Sequence, residues 1–151
     1  MHVGLLKIGE LAKQTGSQVE TIRYYEREGL LPAPVRSEGN YRLYGAAHVE
    51  RLQFIRHCRS LDMTLNEIRS LLSFRDAPEA NCSAVNDLLD THIEHVATRI
   101  CELQALQNQL ETLRNTCHSA QAARDCEILQ TLAGPDGGLP ARLGSHAGGC
   151  H

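Results

Sequence analysis

Tryptophan is absent from the 151-residue chain, and two phenylalanines and four tyrosines bring the aromatic share to only 4%. That scarcity argues against a broad sugar-binding face or an aromatic cage. No aromatic residue follows Phe74, so the second half lacks the walls that an organic-cation pocket needs. No run of about 18 apolar residues occurs, which argues against a membrane span. The segment from Met1 to Gly9 lacks the apolar core of a signal peptide, and the expectation is a cytoplasmic protein. The six cysteines, Cys58, Cys82, Cys101, Cys117, Cys126 and Cys150, include no CxxC pair. Zinc-knuckle and thioredoxin-like motifs are therefore missing. A cytoplasmic setting turns these thiols toward metal binding, redox chemistry or burial rather than structural disulfides.

What is present is a globular composition, 42% hydrophobic and 22% charged, with a net charge of −3. The charge is unevenly spread. Residues 1–75 hold eleven Lys and Arg against eight acids, while residues 76–151 hold four against ten. Only the first half is suited to a polyanion.

The first half reads as a winged DNA-binding module. Ile8, Leu11 and Ala12 stand at helical spacing, and Thr15-Gly16 stops that helix. Ser17 with Glu20 three residues on predicts a capping box for a second helix, about Gln18 to Arg27, ended by Gly29. Two short helices across a tight turn form a helix-turn-helix, whose second helix enters the major groove. Arg23 is the expected groove-facing base, with Thr21 and Tyr24 beside it, whereas Val19 and Ile22 belong to the core. Pro32 and Pro34 give a rigid exit. Gly39-Asn40 then favours a hairpin tip, and Tyr41 to Tyr44 a short strand. Arg36 and Arg42 on this wing, with Asn40 and Tyr41 at its tip, are the expected phosphate contacts, which set affinity and register. Ala46 to Ser60 predicts a third helix with Val49, Leu52, Phe54 and Ile55 inward. Thr64 and Glu67 predict a capping box for a fourth.

The second half carries no Pro or Gly from Cys82 to Cys117. Cys82, Leu89, Val96, Leu103, Leu110 and Cys117 recur every seven residues, which predicts a long amphipathic helix with a coiled-coil stripe. Too little sequence remains to cover that stripe, so the expected partner is a second copy of the chain. Cys82 and Cys117 are 35 residues apart, roughly 50 Å along a helix, and cannot meet within one chain. Antiparallel pairing brings Cys82 of one chain to Cys117 of the other and predicts two symmetric sites. Cys126, across a short loop, can supply a third thiolate. Three thiolates suit Cd(II), Pb(II), Hg(II) or Zn(II). The tail from Ala133 is rich in Gly and Pro. Its His146, Cys150 and His151, with His92 or His95, either form an accessory metal site or play no fixed role. An enzyme built on Cys117 and His118 is not expected, because adjacent helical residues do not face each other.

Three segments, Ile8-Gly-Glu-Leu-Ala-Lys13, Thr21-Ile-Arg-Tyr-Tyr-Glu-Arg-Glu-Gly-Leu-Leu31 and Asn40-Tyr-Arg-Leu-Tyr44, resemble the signature of MerR-family transcriptional regulators. The resemblance runs from residue 6 to about 132. Residues 52–75, with Arg-His-Cys-Arg-Ser-Leu-Asp-Met-Thr, are most similar to the cadmium- and lead-responsive branch, the CadR and PbrR types. It implies a mainly α fold: a winged helix-turn-helix over 6–75, a hinge over 76–81 and an antiparallel coiled-coil dimerisation helix over 82–117. A metal-binding loop and short helix over 118–132 and a flexible tail over 133–151 complete it. It also implies a three-thiolate site at Cys82, Cys117 and Cys126. The expected partners are double-stranded promoter DNA, a homodimer mate and bacterial RNA polymerase. Cd(II) or Pb(II) is the expected effector, with Hg(II) and Zn(II) open, and activation proceeds by bending and underwinding the promoter.

Overall fold

The computed structural model describes residues 4–118 and 120–135, so His146, Cys150 and His151 lie outside the described residues. The elements in order are α1 (Ile8–Thr15), α2 (Val19–Arg27), β1 (Val35–Arg36), β2 (Arg42–Leu43), α3 (Ala46–Ser60), α4 (Leu65–Arg75), α5 (Ser83–Arg114) and α6 (Glu127–Ala133). A single 3₁₀ turn, Ala123–Asp125, precedes α6. The chain divides into two compact units, one ending at Leu88 and the other beginning at Leu89. No helix among the described residues is long and apolar enough to cross a membrane.

The first unit is built on one core. Leu11 from α1, Ile22 from α2, Leu52 and Ile55 from α3, and Ile68 and Leu72 from α4 meet Leu30 and Tyr44, all essentially without exposure. Ile22 is core as its spacing predicts, and Val19 packs against the core from its edge. Thr15-Gly16 ends α1 as expected: Gly16 adopts φ +65°, the left-handed conformation that glycine alone reaches without strain. A Cβ on Gly16 would also stand 2.7 Å from the Arg56 guanidinium.

Ser17 departs from its predicted role. Its N–H closes back on the Ala12 carbonyl at 2.9 Å, so Ser17 finishes α1 rather than opening α2. The residue before α2 is Gln18, with no side-chain cap. The α4 start does follow the prediction. Glu67 N–H donates to Thr64 Oγ1 at 3.2 Å, and Thr64 N–H donates to the Glu67 carboxylate at 3.0 Å.

The wing is an antiparallel hairpin with Val35 opposite Leu43 and Arg36 opposite Arg42. Its tip turns on Asn40 at φ +64°, a conformation that Asn tolerates better than most residues. The regular strand is shorter than predicted. Tyr41 belongs to the turn, where its carbonyl accepts from Ser37 N–H, and Tyr44 pairs instead with Leu6 through two 2.8 Å backbone bonds.

α5 begins behind Cys82, where Asn81 Oδ1 accepts from Ser83 N–H at 2.9 Å. It stops three residues short of Cys117. The Thr116 hydroxyl donates to the Leu113 carbonyl at 2.7 Å, drawing the backbone out of the helical ladder. In the second unit Leu89, Ile93, Val96, Ile100, Leu103, Leu106 and Leu110 all keep a third or more of their surface exposed, Ile93 as much as 63%.

Two substitutions separate cap from core. Thr64→Ala should lower stability by about 1 kcal/mol, and Ile68→Ala by roughly 2–5 kcal/mol. Urea midpoints at constant slope would check both, and equal losses would contradict this division of roles.

Candidate nucleic-acid interface and thiol site

The helix-turn-helix and wing bring a basic surface together. On α2, Arg23 is exposed, Tyr24 is 40% exposed and Thr21 is half-buried. Arg23, Arg27 and Arg42 line one open cleft with Glu26 among them. Among the described residues no carboxylate is paired with Arg23, Arg27 or Arg36. Arg36 lies along the hairpin, its guanidinium donating to the Asn40 carbonyl at 3.2 Å. Lys7 stands over the Tyr41 ring at 5.3 Å.

Arg42, expected as a phosphate contact, has a partner within the chain. Its guanidinium donates to Glu26 Oε2 at 3.2 Å, and the Tyr44 hydroxyl donates to Glu26 Oε1. One carboxylate on α2 thus holds two side chains of the wing. Burial, followed by the Glu26 hydrogen bond and its charge, pushes the Tyr44 phenol up to about 12.

Other links fix α2 by its C-terminal end. Arg51 donates to the Leu30 carbonyl at 2.6 Å, and its fork grips both Asp76 oxygens at 2.9 and 3.1 Å. The Arg51 hydrogen bonds hold the Asp76 carboxyl below its usual range. Arg69 donates to the Glu28 carbonyl at 2.9 Å. His48 accepts from Gly45 N–H at its Nδ1, 3.1 Å, which leaves its Nε2–H to donate to the Pro32 carbonyl at 3.1 Å. Sequence patterning gave no signal for Glu26, His48 or Arg51, because each acts on a partner distant along the chain.

Of the predicted thiols, Cys82 is exposed in the first unit, and Cys117 and Cys126 are half-buried in the second. Cys126 stands immediately before α6 and accepts hydrogen bonds from Leu129 and Ile128 N–H and from the Cys117 thiol. The Leu129 N–H, the leading influence, and these neighbours draw the Cys126 thiol below its usual range. Cys58 is the contrast: burial in the core pushes its thiol up. An acidified thiol touching a second one is suitable chemistry for a soft metal ion. Among the described residues of one chain, no group of three or more His, Cys, Asp or Glu is gathered into a metal-binding cluster. His92 is buried and His95 exposed on α5.

Residues 6–74 match the family described as MerR HTH family regulatory protein, and residues 49–113 one described as MerR, DNA binding. The HTH-type transcriptional regulator ZntR of Escherichia coli K12 is 40% identical over 130 residues, 85% of this chain and 92% of that protein. The crystal structure of the transcription regulator PbrR691 from Ralstonia metallidurans CH34, in complex with lead(II), is 55% identical. It superposes with a TM-score of 0.75 over 85% of this chain and 99% of that one. The mercury(II) complex of the dual-function regulator MerR from Bacillus megaterium MB1 is 36% identical, with a TM-score of 0.64 over 84% and 98%.

Two pH responses follow. The Tyr44 phenol ionises at a higher pH folded than the roughly 10 of an unfolded tyrosine. Its contribution to stability is therefore complete below pH 10 and lost as pH rises from there toward 12. Thermal melts of wild type and Tyr44→Phe across that window should converge as pH rises. Cys126, acidified and accessible, should be carboxymethylated at pH 7 well before Cys58, and peptide mapping by mass spectrometry would detect the order.

Proposed function

The chain belongs to the MerR family of helix-turn-helix regulators, a metal-responsive transcriptional regulator rather than an enzyme, and on that premise we propose that Cd(II) or Pb(II) is its effector. The observation that carries the reading is the contact between Cys117 and the acidified Cys126 at the start of α6. In the proposed site these two thiolates are joined by Cys82 of the partner subunit. The apolar stripe of α5, still half exposed in a single chain, is the surface on which a second copy lies antiparallel. Cys82 and Cys117 fall on the same heptad column at its two ends, which is why that orientation and no parallel one combines them. The 55% identity to a lead(II)-bound regulator supports the choice of metal.

A bound soft cation supplies strong bonds to three thiolates and so favours whichever arrangement of the chain holds them together. The chain does the rest. α2 reads base edges through Arg23, with Thr21 and Tyr24 alongside, while the wing and its Arg36 follow the phosphates. Residues 76–81 are the link through which the thiol site biases the reading heads, and Asp76 in that link is held by Arg51. A ligand moves such a balance only by binding one state more tightly. The output in this reading is a bent and underwound promoter on which bacterial RNA polymerase engages both of its elements, at a deformation cost met by the protein contacts.

A second reading within the family has mercury(II) as effector, supported by the 36% identity to the mercury(II)-bound regulator and by the affinity of thiolates for soft ions. Anaerobic titration of the reduced protein with Cd(II), Pb(II), Hg(II) and Zn(II), followed by thiolate charge-transfer absorbance, distinguishes the two. Tight binding of Cd(II) or Pb(II) at two ions per dimer is expected, with the band abolished in each of Cys82→Ser, Cys117→Ser and Cys126→Ser. A band with Hg(II) alone supports the second reading. A band indifferent to the substitutions overturns both.

A further inference from the structure

The hairpin register sets a problem of charge. Arg36 and Arg42 are directly opposite each other on two strands of two residues each. Like charges in that relation repel, and a ladder so short has little to set against the repulsion. Glu26 removes it. The carboxylate reaches from α2 to Arg42 at 3.2 Å, only 12% exposed itself, while Arg42 is 40% exposed. Its other oxygen takes the hydroxyl of Tyr44, a fully buried residue whose backbone is locked to Leu6. The wing is therefore tied to the recognition helix through one residue, and the tie uses up the charge of one of the two wing arginines.

We propose that Glu26 and Arg42 form a neutral strut that sets the angle between wing and recognition helix, so that Arg42 acts as a positioning residue and the phosphate charge is met by Arg27 and Arg36. The inference rests on the DNA-binding reading and refines it. Phosphate neutralisation releases counterions, and each contact contributes a slope of about −0.9 to log K against log salt. A strut already neutral in the free protein releases none. Removing Arg42 costs affinity by a different route: it leaves Glu26 as an unpaired carboxylate in a cleft that faces a polyanion. Removing the carboxylate charge as well should then restore binding.

The test uses the full chain and a duplex that the wild-type protein enriches from a random-sequence pool, with affinity read by fluorescence anisotropy at several salt concentrations. Arg27→Ala and Arg36→Ala should each flatten the slope by about one. Arg42→Ala should weaken binding about tenfold, a loss that salt screens because it comes from a carboxylate that the substitution exposes. Arg42→Ala combined with Glu26→Gln, which keeps an acceptor for Tyr44, should recover most of that loss at the wild-type slope. The single variant Glu26→Gln, which frees Arg42, should steepen the slope by about one. A double-variant slope that flattens as that of Arg36→Ala does overturns the strut, as does failure of the double variant to recover affinity while it melts like wild type. Should Arg42→Ala not fold, the steepening expected of Glu26→Gln decides alone. A wild-type protein that enriches no duplex overturns the DNA-binding reading and the strut together.

Discussion

Short elements cannot hold one another by burial alone, and that constraint shapes the first unit. Its helices α1 and α2 have eight and nine residues and its strands two each. Each buries only one or two turns of side chain. The core of leucine, isoleucine and Tyr44 brings them together, but their angles are fixed by polar links that cross between elements. Arg56 takes the last carbonyl of α1, Arg51 and Arg69 take carbonyls just beyond α2, His48 bridges Gly45 to Pro32, and Glu26 gathers the wing. Four of these five residues take a backbone carbonyl, where helix ends and turns leave acceptors unsatisfied. Arginine suits the work because one planar fork can serve two partners, as Arg51 does for Leu30 and Asp76.

The sequence was most readable where a rule is local. The Thr64–Glu67 box and the bounds of α3 come directly from neighbouring residues, and the positive φ of Gly16 from a residue type that admits it. The Ser17 box failed although its pattern was sound, because the backbone N–H of Ser17 had a better use in closing α1. The partner of Arg42 was missed for a related reason. A basic residue on a wing suggests a phosphate, and nothing in its neighbourhood along the chain announces a glutamate sixteen residues back. Long-range polar partners are the part of a fold that patterning sees last.

In the second unit the balance is reversed. The heptad column is readable because period is a one-dimensional property, and its Leu89, Val96, Leu103 and Leu110 all lie on α5 with a third or more of their surface exposed. The pairing of Cys117 with Cys126 was legible only as a loop short enough to allow it. The acidity of Cys126 was not legible at all, since it comes from backbone N–H groups that α6 turns toward the sulfur.

Gly16 tolerates no other residue type without strain. Two barriers stand against any side chain there: the left-handed backbone, and the Arg56 guanidinium bonded to the Thr15 carbonyl. Shortening Arg56 would remove the second and leave the first, while exposing a carbonyl at the end of α1. The turn between the first two helices is thus held by its own backbone conformation, and a side chain at Gly16 is strained whatever becomes of Arg56.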